Sequence, residues 1–77
     1  MAYKGRGAKL RVELVKNGTE VLVSANPEGL RYLAETCAGL ADEEPDPRTP
    51  PHVHVEPALK SAEPESVPME ILLKPDL

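Results

Sequence analysis

Residues 9–24 read KLRVELVKNGTEVLVS, two alternating polar and apolar runs on either side of Asn17-Gly18. Alternation with a period of two is typical of a strand with one buried face, and Asn-Gly between such runs indicates a two-residue hairpin turn. Folding the chain about this turn matches apolar residues on one face, in the pairs Leu14–Val21, Val12–Val23 and Leu10–Ala25. The alternation and the turn therefore predict the same hairpin.

A helix is predicted to follow the hairpin, from Pro27 to about Leu40. Asn26 can cap free backbone N–H groups, Pro27 suits the first helical position, and Glu28 lies near the positive end of the helix dipole. The apolar residues at helical spacing are expected to form the buried stripe that covers the hairpin; they are Leu30, Leu33, Ala34, Cys37, Leu40 and Ala41.

Two further strands are predicted in the proline-rich remainder of the chain. Residues 42–51 contain four acids and four prolines, which favours an exposed, extended loop. Residues 52–56 lie between Pro51 and Pro57 and alternate between polar and apolar side chains. This pattern predicts a third strand with Val53 and Val55 inward. Residues 69–74 predict a fourth strand, whose inward residues are Met69, Ile71 and Leu73.

These elements predict an α+β fold of order ββαββ, with one helix packed on a four-stranded antiparallel sheet. The opposite face of the sheet is then open to solvent or to a partner. Strand orders 2-1-3-4 and 1-2-4-3 both keep the sheet antiparallel. We expect one domain over residues 9–74, preceded by a flexible arm at residues 1–8.

Composition limits the classes of function. The single Cys37 cannot form an internal disulfide, which favours a reducing, cytoplasmic location, and the aliphatic runs are too short to enter a membrane. A net charge of −4 disfavours nucleic-acid binding and favours a basic protein partner. No serine lies in a recognisable nucleophile motif and no glycine pair precedes a helix, so neither an enzyme nor a cofactor is expected.

His52 and His54 are predicted on the same side of the third strand, about 7 Å apart, with Glu56 as the next residue in that row. This spacing could place two imidazoles on one metal ion, although a structural zinc site needs about four protein ligands. We therefore favour a partner-facing or solvated strand and keep metal binding by His52 and His54 as an alternative.

The exposed loop at residues 42–51, here called the acidic loop, is a second candidate surface, since it could steer a basic partner toward the open sheet face. Together with that face it gives the residues predicted to bind a partner: Asp42, Glu43, Glu44, His52, His54, Glu56 and Glu70.

Three segments, VLVSANPEGLRYLA (21–34), HVHVEP (52–57) and EPESVPMEI (63–71), resemble small bacterial proteins of the immunity protein 32 family of polymorphic toxin systems. The likeness spans about residues 10–74. It implies a protein that neutralises a toxin by occlusion and has no catalytic residues. The chain departs from the family pattern in residues 42–51 and 60–68, which affects any binding surface formed by those loops.

Two alternatives stay open at this stage. One is a structural or regulatory module that homodimerises through the open sheet face or an edge strand, with Val15, Leu22 and Leu72 as apolar anchors. The other is the small metal-binding domain that uses His52 and His54.

Overall fold

The first two strands form the predicted antiparallel hairpin. The computed structural model describes residues 7–77, in which β1 spans Leu10–Val15 and β2 spans Glu20–Ala25. The register confirms the predicted apolar pairs, which are Leu10–Ala25, Val12–Val23 and Leu14–Val21.

The hairpin turn is longer than predicted, because four residues lie between the last paired residues Val15 and Glu20. Lys16, Asn17 and Gly18 all have positive φ, at 54°, 58° and 83°. Two overlapping turns follow, closed by hydrogen bonds from Gly18 N–H to the Val15 carbonyl (3.1 Å) and from Thr19 N–H to the Lys16 carbonyl (3.2 Å). The two additional loop residues are Lys16, from the end of the first predicted strand, and Thr19, from the start of the second. Because each strand loses one residue, the register is unchanged.

The helix α1 spans Pro27–Ala41 and begins as predicted. The Asn26 side-chain oxygen accepts hydrogen bonds from the backbone N–H groups of Gly29 (2.8 Å) and Lys9 (2.9 Å). Its amide group donates to the Gly7 carbonyl at 2.7 Å. The cap therefore also ties the start of the helix to the chain that enters β1.

The predicted buried stripe of the helix was wrong by one residue. Leu30, Ala34, Cys37 and Ala41 are exposed, and Cys37 is thus not a core residue. Leu40 is buried and Leu33 half-buried, as predicted, and the rest of the inward face is formed by Gly29, Tyr32 and Thr36. A Cβ atom at Gly29 would overlap the Lys9 carbonyl oxygen, so the helix backbone approaches the hairpin closely along this side. Compared with the predicted stripe, the inward face is rotated by about 100°, one helical position, and it buries Tyr32.

The C-terminal half forms a second hairpin, in which β3 spans His52–Val55 and β4 spans Met69–Leu72. A short 3₁₀ helix, Pro57–Leu59, lies between them. The predicted inward residues Val53, Val55, Met69 and Ile71 pack on the core. Leu73, also predicted inward, lies just after β4 and is half-buried. Its N–H donates to the Pro51 carbonyl at 2.9 Å, which continues the pairing by one step.

The four strands form two separate two-stranded sheets, so the predicted four-stranded sheet and both strand orders were wrong. The reason lies at the edge of β1 that does not pair with β2. Glu63 N–H donates to the Leu10 carbonyl and Val67 N–H to the Val12 carbonyl, each at 2.8 Å, and the Ser66 hydroxyl accepts from Val12 N–H at 2.8 Å. The segment before β4 therefore takes the place that a third strand would need. The α+β class and the ββαββ order are confirmed.

The hydrophobic core lies where the two hairpins and the helix meet, and its buried members are Ala8, Leu10, Val12, Tyr32, Val55 and Ala62. The far end of the first hairpin extends beyond this core, since Leu14 and Val21 are 58% and 59% exposed. Most of the arm predicted at residues 1–8 lies outside the described residues, and the domain bounds stay a prediction. Within residues 7–77, no helix is long and apolar enough to cross a membrane.

Candidate functional site

The outward face of the second hairpin carries both histidines of the chain. His52 and His54 alternate with the inward Val53 and Val55, and the register pairs His54 with Glu70 and His52 with Leu72. Directly paired residues of an antiparallel ladder project on the same face. The sequence pattern predicted the two histidines on one side, and the register adds Glu70 as their neighbour across the strands.

The three polar side chains of this face lie close together. Their possible ligand atoms, one from each of His52, His54 and Glu70, are all within 4.8 Å of one another, and all three residues are exposed. The two imidazole rings meet edge to face, with centroids 5.1 Å apart and planes at 86°. The Nδ1 atom of His52 lies 2.9 Å from the Pro50 carbonyl oxygen.

Glu56, predicted in the same row as the histidines, has a different position. It follows β3 and is half-buried at the start of the 3₁₀ helix. Its N–H donates to the Ser61 hydroxyl at 2.9 Å, and its carbonyl accepts from Leu59 N–H and Ser61 N–H. The row that sequence alternation implied therefore bends away after His54, and Glu70 takes the place beside the histidines.

The acidic loop begins directly at the end of the helix. Asp42 caps the helix, with its N–H directed at the Ala38 and Gly39 carbonyls, and every residue from Asp42 to Thr49 is exposed. Glu43 and His52 line the same surface groove of about 220 Å³. A larger groove of about 420 Å³ joins Asp46 of the loop to Leu72 of the second hairpin. The loop and the hairpin face therefore form one continuous surface.

We call this surface the acidic-histidine face and define it by Asp42, Glu43, Glu44, His52, His54 and Glu70. It contains every residue predicted to bind a partner except Glu56. Thr36 also lines the groove between Glu43 and His52, and its buried hydroxyl has no hydrogen-bond partner within residues 7–77. The sequence pattern missed Thr36, because the predicted helix stripe left it outside the buried face.

A separate cluster of charges lies at the edge of the first hairpin. Arg11 donates to Glu65 at 3.0 Å, and its Nε atom is 3.2 Å from a Glu13 carboxylate oxygen without hydrogen-bond geometry. The pKa of Glu65 is lowered first by a hydrogen bond from the backbone N–H of Glu65 itself and then by the hydrogen bond from Arg11. The hydrogen bond to Glu65, followed by the charge of Glu13, raises the pKa of Arg11. These exposed pairs are screened by water and contribute little to stability.

The buried serine hydroxyls are engaged with the backbone. Ser61 accepts from Glu56 N–H and lies 3.0 Å from the His54 carbonyl, and Ser66 accepts from Val12 N–H and lies 3.0 Å from the Val67 carbonyl. Both hydroxyls thus satisfy main-chain groups that the two short sheets leave open.

The chain is thus a small α+β protein that presents an exposed acidic and imidazole-bearing surface beside a helix terminus. The model of the immunity protein 32 family matches residues 20–74, more than two thirds of the chain. The chain belongs to this family and is an immunity-type protein. The match begins at the first residue of β2, so β1 lies outside it. Neither the search of curated proteins nor that of solved structures gave a significant match.

Proposed function

We propose that this chain is a non-catalytic immunity protein that binds a cognate bacterial toxin in the cytoplasm and blocks it by occlusion. The family match over residues 20–74 is the observation that carries this proposal. Occlusion requires a complementary surface and no chemistry, which agrees with the structural roles of the buried Ser61 and Ser66 hydroxyls.

We assign toxin binding to the acidic-histidine face. The net charge of −4 and the exposed acids of this face favour encounter with a basic protein surface and oppose the approach of nucleic-acid phosphates. The groove between Glu43 and His52 offers a partner side chain a concave seat.

The proposal is tested with the toxin domain encoded beside the gene of this chain. Co-expression should rescue growth, and the purified pair should form a complex without turnover of the toxin. Because exposed charges mainly act on association, the double variant Glu43→Gln/Glu44→Gln should lower the association rate constant about tenfold at low salt. The dissociation rate constant should change much less.

Glu28→Gln/Glu35→Gln is the matched control, since it removes the same charge from exposed positions of the helix. Glu28 lies in the first turn of a helix that is about 22 Å long, at the end opposite the acidic loop. Equal loss of association rate in both double variants would reject the assignment to this face. Failure of the toxin to bind the wild-type chain at all would reject the immunity function.

A homodimer is a second candidate, since Leu22 and Leu72 are 42% and 43% exposed on outward strand faces. The two residues lie in separate sheets, so a dimer would use one hairpin face instead of a continuous four-stranded one. Sedimentation equilibrium of the wild type, Leu22→Glu and Leu72→Glu tests it. A concentration-dependent dimer weakened by one substitution identifies the hairpin, and a monomer at all concentrations rejects the candidate.

A further inference from the structure

We propose that His52, His54 and Glu70 form a binding site for one divalent transition-metal ion of the zinc type. The three residues come from two strands, and the hairpin register brings them together: His52 and His54 alternate on β3, and Glu70 is the Cα partner of His54 on β4. The site depends on this hairpin alone, and although its three residues also belong to the acidic-histidine face, metal binding needs no toxin and is tested on the isolated protein.

The spacing of the ligand atoms suits a single ion. They lie within 4.8 Å of one another, whereas ligands about 2.0–2.2 Å from a tetrahedral zinc ion are about 3.4 Å apart. The set therefore has to close by at most about 1.5 Å. Exposed side chains can close that distance by small rotations about their side-chain bonds, with no shift of the paired backbone.

The hydrogen bond of His52 prepares its ring for a metal. A carbonyl oxygen only accepts, so the 2.9 Å contact with Pro50 places the proton of the neutral ring on Nδ1 and leaves the Nε2 lone pair free. Metal-binding histidines usually donate their other ring N–H to a carbonyl or carboxylate in this way. Pro50 is itself held near β4, because the neighbouring Pro51 carbonyl accepts from Leu73 N–H at 2.9 Å.

The donor set selects the class of ion. Two imidazole nitrogens and one carboxylate oxygen suit zinc, copper, nickel or cobalt, whereas calcium and magnesium prefer oxygen ligands throughout. The carboxylate of Glu70 offsets part of the charge of the ion. Three protein ligands on an exposed face leave at least one coordination position for water.

Isothermal titration of ZnCl₂ into the untagged full-length protein tests the site. We expect one equivalent of Zn²⁺ to bind, with a rise in melting temperature that Mg²⁺ does not produce. His54→Ala and Glu70→Gln should each weaken the affinity at least about tenfold. Glu56→Gln is the matched control, because this neighbouring acid is outside the ligand cluster, and it should change the affinity less than about twofold.

The exposed thiol of Cys37 requires its own control, since thiolates bind zinc strongly. Cys37→Ser should retain the site, and Co²⁺ bound to the wild type should show no thiolate charge-transfer band. NMR of the metal-free imidazole nitrogens should show the Nδ1–H form of His52. The proposal is overturned if binding is not saturable at one equivalent, if Cys37→Ser abolishes it, or if Glu56→Gln weakens it as much as Glu70→Gln. Each of these outcomes is read on the isolated protein and leaves the test of toxin binding unaffected.

Discussion

Gly29 lies where the helix passes over the entry to β1, and the absence of a side chain there determines how the helix sits. A Cβ at this position would overlap the Lys9 carbonyl oxygen and lie 3.0 Å from the Ala25 Cβ. The contact is with backbone, which cannot rotate away as a flexible side chain could. The observed placement of the helix therefore requires glycine at this position.

Gly29→Ala should accordingly destabilise the fold by about 1–3 kcal/mol, the cost typical of overpacking. Gly39→Ala is the matched control on the same helix, where an added Cβ has no atom within 4 Å. It should stabilise by about 0.5–1 kcal/mol, because alanine loses less chain entropy than glycine in a helix. Urea unfolding measures both, and equal shifts of the same sign would show that the helix does not approach Lys9 this closely.

At the scale of elements, local patterns predicted the hairpin register and the ends of the helix, since Asn17-Gly18 and Asn26-Pro27 act within a few residues of themselves. The rotation of the helix and the division of the sheet depend on contacts far apart in sequence. Gly29 meets Lys9, and Ser66 meets Val12 across 54 positions. The same holds for the candidate site. Alternation predicted the two histidines, whereas Glu70 as their neighbour required the register of β3 with β4.

The rotation of the helix is tested by two identical truncations. The sequence pattern predicted both Leu30 and Leu40 in the buried stripe, but Leu30 is 54% exposed and Leu40 only 8%. Leu40→Ala should cost about 2–5 kcal/mol and Leu30→Ala less than about 1 kcal/mol. Chemical denaturation gives both values. A larger loss for Leu30→Ala would restore the predicted stripe.

The closed edge of β1 gives a second prediction at this scale. In Ser66→Ala the buried N–H of Val12 loses its acceptor, which should cost about 1–3 kcal/mol. Ser24→Ala, on the outward row of β2, should change stability by less than about 0.5 kcal/mol. If thermal unfolding finds both substitutions equally mild, the hydroxyl of Ser66 does not hold this edge.

The molecule as a whole is flat, and it is less compact than is usual for a chain of this length. Its extents are 32 × 31 × 20 Å and its radius of gyration is 13.0 Å, against about 11.5 Å for a compact chain of this length. Burial is concentrated at one end of the first hairpin, around Leu10 and Val12, and declines toward Leu14 and Val21. Stability should be distributed in the same way.

Hydrogen exchange followed by NMR should reveal this gradient. Amides that pair beside the core, such as Val12 and Val67, should exchange only by global unfolding. Amides that pair near the hairpin turn, such as Val15 and Glu20, should exchange at least about tenfold faster through local opening. Uniform protection along the hairpin would mean that the exposed end is as stable as the core.

The acidic loop after the helix has a consequence for the evolution of such proteins. All residues from Asp42 to Thr49 are exposed, so substitution of their side chains removes no side chain from the core. Surface loops of this kind vary more than the elements they join. If the loop contacts the toxin as proposed, mutations in it can adapt the protein to a changed toxin without lowering the stability of the fold. Recognition and stability are then inherited as separate traits of one short chain.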